Sequence, residues 1–267
     1  MPAAQPTRAV QRLAPEVLAT RLDSAQAFPR HAHDTYGIGR IQRGAQRSWS
    51  AAGWVEAGPG DLLMVNPGEV HDGVPLGTAG RRWHMLYLTP ALVEAAAAEV
   101  LPAGSPLPTW RPVARDALVA RGFERWHARL CAREGRLACD EAQAALLSAL
   151  LLRQAQVMPR RWASPCIVRA RQRLDDDPAT DPGLAALAQE AGLSRFQLLR
   201  AFSRELGMTP HAYLVQRRLA LACRLLDAGH PISDVAAAAG FADQAHLTRS
   251  FTRCRGYTPA VYAGARR

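Results

Sequence analysis

The sequence predicts an α+β multidomain protein: a β-barrel with a helical hairpin in the N-terminal part, and an all-α C-terminal part built from two matched helical units. Three observations carry this. Short apolar runs broken by Gly and Pro fill residues 17–88, the pattern of closely spaced strands in a barrel or sandwich. After Pro90 the composition turns to Ala, Leu and Arg at helical spacing. The stretch Leu184–Tyr262 is written twice. Gly192 and Gly240 stand 48 apart, while Phe202/Phe251, Gly207/Gly256, Pro210/Pro259 and Tyr213/Tyr262 stand 49 apart, so the second copy carries one extra residue at its turn. One supersecondary unit is therefore used twice.

The elements follow in order. The first twelve or so residues, polar with Pro2 and Pro6, read as a mobile arm. Gly37–Gly44 and Ala45–Ser50 read as a hairpin, followed by strands in Gly53–Gly58, Pro59–Gly68 and Trp83–Leu88. Ala91–Leu101 is a short helix closed by Pro102 and Gly104. Val113–Arg133 and Cys139–Val157, separated by Gly135, form an antiparallel helical hairpin that either dimerises or covers an open side of the barrel. Met158–Pro165 is a linker, with two prolines and no periodicity. Cys166–Leu174 is a first C-terminal helix, Pro182 starts the next, and Thr209–Ala228 is a long helix ended by Gly229. This gives domains at 1–109, 110–160 and 161–267 within a chain of 267 residues.

Each repeat is an Ala-rich helix, a glycine suited to a left-handed turn, and a second helix. Ser194 and Asp243 stand where N-caps are wanted. Leu198 and Phe202 share a face at i,i+4, as do Leu247 and Phe251, and both pairs read as core. This is the form of a helix-turn-helix, whose second helix enters the DNA major groove.

The run Gly240-Phe241-x-Asp243-x-x-His246-Leu247-x-Arg249-x-Phe251, continued by Gly256-x-Thr258-Pro259-x-x-Tyr262, resembles the signature of AraC/XylS-family transcription regulators over residues 166–264. The resemblance implies two helix-turn-helix units joined by a long helix and entering successive major grooves. By motif position the DNA-facing residues are Arg195, Phe196, Gln197, Leu199 and Arg200 in the first unit, and Gln244, Ala245, His246, Thr248 and Arg249 in the second. Arg can pair with guanine and Gln with adenine, while Phe196 and Leu199 offer only apolar contact, for example to a thymine methyl. Arg200 and Arg249, at equivalent places, either read a base, hold a phosphate or fold back on an acidic neighbour. Arg217, Arg218 and Arg224 read as solvated surface. The resemblance also implies double-stranded DNA, a small-molecule effector and RNA polymerase as partners, a homodimer, and activation as the usual outcome.

In the N-terminal part, His31-Ala-His33 and the segment Gly60 to His71, with Pro67-Gly68-x-x-His71, look like the two halves of a cupin motif. The resemblance implies a sensor barrel, in which His31, His33 and His71 could share a divalent metal ion. The glutamate expected after the second histidine is absent, with Gly37 and Ile38 in its place. The histidines are therefore metal ligands, locally bonded structural residues, or lining of an effector pocket with Tyr36, Trp49, Trp83 and His84. No resident cofactor is expected beyond that possible metal.

Charge agrees with a nucleic-acid partner. Residues 161–267 hold 15 Arg against 9 acidic residues, and residues 1–160 hold 18 against 14, so the positive excess is denser in the shorter C-terminal part. Five cysteines without a Cys-x-x-Cys pair fit reduced thiols in a cytoplasm. No apolar run reaches membrane-spanning length. The expected function is a ligand-responsive, sequence-specific regulator and not an enzyme. The competing expectation is a metal-dependent cupin enzyme fused to a DNA-binding domain.

Overall fold

The computed structural model describes residues 8–50, 52–156 and 163–265. Its strands are β1 (Arg8–Ala14), β2 (Val17–Ser24), β3 (Phe28–His31), β4 (Tyr36–Arg43), β5 (Ala45–Ser50), β6 (Gly53–Ala57), β7 (Leu62–Val65), β8 (His71–Leu76) and β9 (Arg81–Leu88). Helix α1 (Pro90–Val100) follows, then β10 (Thr109–Trp110), β11 (Val113–Ala114), α2 (Ala117–Ala132), α3 (Arg136–Arg153) and β12 (Ala155–Gln156). The C-terminal helices are α4 (Pro165–Asp176), α5 (Gly183–Ala191), α6 (Arg195–Leu206), α7 (Pro210–Asp227), α8 (Ile232–Ala238), α9 (Gln244–Arg255) and α10 (Pro259–Gly264). The chain forms two compact units, Met1–Ala27 with Asp34–Met158, and Phe28–His33 with Pro159–Arg267. The α2–α3 hairpin thus belongs to the first unit, and the short strand β3 to the second.

In the first unit a six-stranded sheet takes the order β1-β2-β9-β4-β7-β11, and β8-β5-β6 lie side by side in a second sheet. Register decides what each face buries. Val17 and Tyr36 lie opposite Leu88, and Ala19 and Ile38 opposite Leu86. These residues form one core with Phe123 and Trp126 of α2 and Leu146, Leu147 and Leu150 of α3. Burying each such side chain contributes about 1.5–3 kcal/mol, so this helix-covered face is the unit's main apolar store. The other face of the large sheet turns toward the second sheet and carries Leu22, Ile41, Trp83 and Met85, all buried.

Several expectations change. Strands β4 and β5 do not pair as a hairpin: β4 pairs with β7 and β9, and β5 with β6 and β8. Gly44, at φ +72°, turns the chain from one sheet to the other, and a Cβ there would lie 2.2 Å from the Gly80 carbonyl oxygen. Only glycine makes that corner. The expected mobile arm is half strand, since β1 begins at Arg8, with residues 1–7 outside the described part. The helix expected from Val113 starts at Ala117, because Asp116 caps it through Leu118 and Val119 while Val113–Ala114 pair with β7. Helix α3 runs earlier than expected, and Val157 and most of the linker lie outside the described residues.

The second unit repeats its geometry as the sequence does. Helix α5 ends at Gly192 (φ +68°) and α6 begins at the N-cap Ser194. The turn after α8 passes through Gly240 (φ +78°), and α9 begins at the N-cap Asp243. Leu198, Phe202, Leu247 and Phe251 are fully buried. Tyr213 donates to Asp175 (2.7 Å) and the equivalent Tyr262 to Asp227 (2.9 Å), so the same tether closes both copies.

Candidate DNA-reading helices and sensor interior

Helices α6 and α9 occupy the second-helix position of their units. Their caps put the first turn at the tip. Arg195, Phe196, Gln197, Leu199 and Arg200 are all exposed on α6, and Gln244, Ala245 and Arg249 on α9. His246 and Thr248 are half-buried. His246 packs edge-on against Phe241 at 5.2 Å, so its ring partly closes the turn. Arg200 and Arg249 are neither buried nor folded into the core. The 18-residue α7 between the units is about 27 Å long at 1.5 Å per residue, which suits a separation of one turn of duplex.

Gln197 departs from its expected role. Its Oε1 accepts from the Ser194 backbone N–H (2.9 Å), while its own N–H donates to Ser194 Oγ (3.2 Å). This reciprocal capping box uses the side-chain oxygen that adenine pairing requires. The sequence signal was present, a serine three residues before a glutamine. Arg218 also departs: it is buried, and donates to the carbonyls of Pro178 (2.9 Å) and Ala179 (3.3 Å), pinning the loop before α5. Arg217 pairs with Asp175 at 3.0 Å, and Arg224 is exposed.

The seven residues expected in an effector pocket do not share one face. Trp83 lies on the inner face between the two sheets of the first unit. Tyr36 and His84 lie on the opposite, helix-covered face, because strand alternation separates neighbours. The Tyr36 ring packs on Trp110 at 4.6 Å and its hydroxyl donates to Pro108 O (2.8 Å). Its phenol is pushed up by burial, then by Glu94. His84 stacks on His127 of α2 at 5.1 Å and receives Gln42 Nε2–H at Nδ1 (3.2 Å). Burial first, then His127, holds its imidazole down to about 4. Trp49 lies opposite Trp54 on the outer face of β5–β6, and its backbone N–H donates to Asp72 (2.6 Å). His31 and His33, both buried, belong to the second unit, with ring centroids 6.2 Å apart. His71, half-buried, opens β8 in the first.

The polar centre of the first unit was not read from the sequence. Arg81 on β9 is 1% exposed, with its guanidinium 4.5 Å over the Trp83 ring. It donates to Gln46 Oε1 (2.7 Å), Gln26 O (3.1 Å) and Gly73 O (3.2 Å), and burial holds it down to about 10. Gln46 in turn donates to Ser48 Oγ (2.8 Å), and Thr20 Oγ1 is buried with no hydrogen-bond partner among the described residues. The alternation Arg81-x-Trp83-x-Met85 could have revealed it, had the strand been started two residues earlier.

Two helix-turn-helix units, each presenting an exposed arginine from the same turn of its second helix, define a double helix-turn-helix DNA-binding protein with a β-sheet sensor. The comparisons narrow the class. Residues 15–151 match the AraC-like ligand binding domain and residues 187–265 a helix-turn-helix domain. The chain belongs to the AraC family: it is a transcription regulator with a ligand-binding N-terminal domain and a helix-turn-helix DNA-binding domain. It is 29% identical over 228 residues to the HTH-type transcriptional regulator YbfI of Bacillus subtilis, covering 83% of this chain and 82% of that one. It is 28% identical over 220 residues to the arabinose operon regulatory protein of Salmonella typhimurium, covering 76% and 74%. Its fold is that of ToxT from Vibrio cholerae, at TM-score 0.60 and 12% identity over 94% of this chain and 98% of that chain. ToxT has also been crystallised with an unsaturated fatty acid bound. No helix among the described residues is long and apolar enough to cross a membrane.

Proposed function

We propose that this chain is a cytoplasmic, effector-controlled activator that reads its operator through Arg195, Phe196, Leu199 and Arg200 of α6 and through Gln244, Ala245, His246, Thr248 and Arg249 of α9. The observation that carries the reading is the paired exposure of Arg200 and Arg249 beside buried Leu198/Phe202 and Leu247/Phe251. An exposed arginine at the same turn of both helices can pair with guanine or hold a phosphate in successive grooves. Arg200→Ala and Arg249→Ala should each weaken specific binding by roughly 1–3 kcal/mol. Full operator affinity in the double variant, by gel shift, would overturn the assignment.

The effector enters the first unit, and RNA polymerase is the downstream partner. Binding favours one arrangement of the molecule over another, and so changes its grip on DNA. Strand β3 supports this coupling: though early in the chain it packs in the second unit against α7 and α9, and Arg30 donates to the carbonyl of Gly207 (2.9 Å), the C-cap of α6. His31 and His33 lie on or beside that strand. By residue type and spacing alone, His31, His33 and His71 are the candidate ligands of a divalent metal. The backbone partners of two of these rings support the reading. Nδ1 of His31 faces Pro29 O (2.7 Å) and Nδ1 of His71 faces Glu69 O (2.9 Å). A carbonyl only accepts, so Nδ1 carries the proton and Nε2 the lone pair, the usual arrangement of a ligating imidazole. Elemental analysis of purified protein and of His31→Ala tests this. A thermal-shift screen with metabolites identifies the effector, because a ligand that binds only the folded form raises the melting point.

The chain acts as a homodimer through α3. Leu137 (74% exposed) and Leu152 (68%) end a stripe that includes Glu141, Ala144, Ala145 and Ser148. The stripe is symmetric about Ala144–Ala145, so a second copy laid antiparallel sets Leu137 on Leu152 and small residues at the crossing. Such self-complementarity is what a two-fold interface requires.

A further inference from the structure

The two recognition helices are unequal in chemistry. Of the four other exposed residues between Arg195 and Arg200 of α6, once Gln197 is engaged in its capping box, two are arginines and two are large and apolar. Phe196 is 75% exposed, more than any other exposed large hydrophobic side chain in the described part of this unit, and Leu199 is 38% exposed. At i,i+3 they share one face, between Arg195 and Arg200, which attract the phosphates on either side. The matching α9 positions are Ala245 and Thr248, both small. Leaving Phe196 in water is unfavourable, and no neighbour among the described residues of the unit covers it.

The apolar group that a B-form major groove offers is the C5 methyl of thymine. We infer that Phe196 and Leu199 are specificity-determining residues that read pyrimidine C5 methyls, so the α6 half of the operator is chosen by methyl contact and the α9 half mainly by polar pairing. This rests on α6 entering the groove as proposed above.

The test is a cycle between protein and DNA. An operator selected from random duplexes by the full chain is synthesised with thymine and again with deoxyuridine throughout, which removes the methyls and no hydrogen-bonding group. Wild type and Phe196→Ala are titrated against both, with a scrambled duplex as competitor. Each methyl buried under Phe196 or Leu199 should be worth about fourfold in affinity. Wild type should lose at least that on deoxyuridine, and Phe196→Ala should lose clearly less. Phe196 is exposed, so the variant keeps its fold, checked by circular dichroism. An equal deoxyuridine penalty in both proteins, or none in wild type, overturns the methyl inference while discrimination against the scrambled duplex stands. Loss of that discrimination in wild type would instead overturn base reading by these helices as a whole, and the methyl reading with it.

Discussion

Gly192 and Gly240 fill the same position in the two repeats, yet replacing each with alanine should have different consequences. Both sit in the left-handed region, at φ +68° and +78°, where an L side chain costs about 1–2 kcal/mol. At Gly192 a Cβ would meet nothing within 4 Å, so Gly192→Ala carries that strain alone. At Gly240 the Cβ would lie 2.2 Å from the Ala179 carbonyl oxygen and 2.8 Å from its carbon. Those atoms are backbone, in a loop that Arg218 pins through the Pro178 and Ala179 carbonyls. The loop cannot yield cheaply, and such overpacking adds about 1–3 kcal/mol. Gly240→Ala should therefore cost about 2–5 kcal/mol, a large share of the 5–15 kcal/mol that holds a typical domain. Hydrogen exchange on peptides from α5 and α6, and from α8 and α9, reads the local opening free energy around each glycine directly. The expected result is protection falling by roughly 30-fold or more around Gly240, against about tenfold around Gly192. Equal losses, or a larger loss at Gly192, would refute the steric argument.

Three other outcomes follow from the same geometry. Gln197→Ala should destabilise α6 by about 1 kcal/mol, as a lost capping partner does, and leave the ranking of operator variants unchanged; a changed ranking would mean that Gln197 reads DNA after all. The His84 imidazole is held down to about 4 against about 6.5 when unfolded, so between those values only the unfolded chain takes up the proton. Stability from this group is complete above pH 6.5 and declines as pH falls toward 4, by on the order of 3 kcal/mol in all; chemical denaturation of His84→Phe should show a flatter acid limb, and parallel limbs would sink the assignment. Ala144→Arg should leave a monomer in analytical ultracentrifugation, because two arginines would meet at the proposed crossing; an unchanged mass would remove α3 from the interface.

Much of the second unit was legible in the chain because its determinants are local. A turn glycine, an N-cap and an i,i+4 core pair act within a few residues of each other, and the repeat states them twice. Exposure of Arg200 and Arg249 followed from those periodicities. The sensor was legible only as a run of strands. Which strands pair is set by Gly44 and Gly80 meeting across a corner, 36 residues apart in sequence, and no local pattern encodes that encounter. The same holds for sidedness: Tyr36, Trp49, Trp83 and His84 are all aromatic, but strand parity and sheet membership send them to different faces. Arg81 looked like surface charge until the fold closed around it, with acceptors from three separate segments. Local chemistry along the sequence thus determined the second helix of each helix-turn-helix unit and its cap, while the sensor's inner face, the pinning role of Arg218 and the placement of β3 were decided only by the tertiary structure, since each depends on partners brought together by long-range closure.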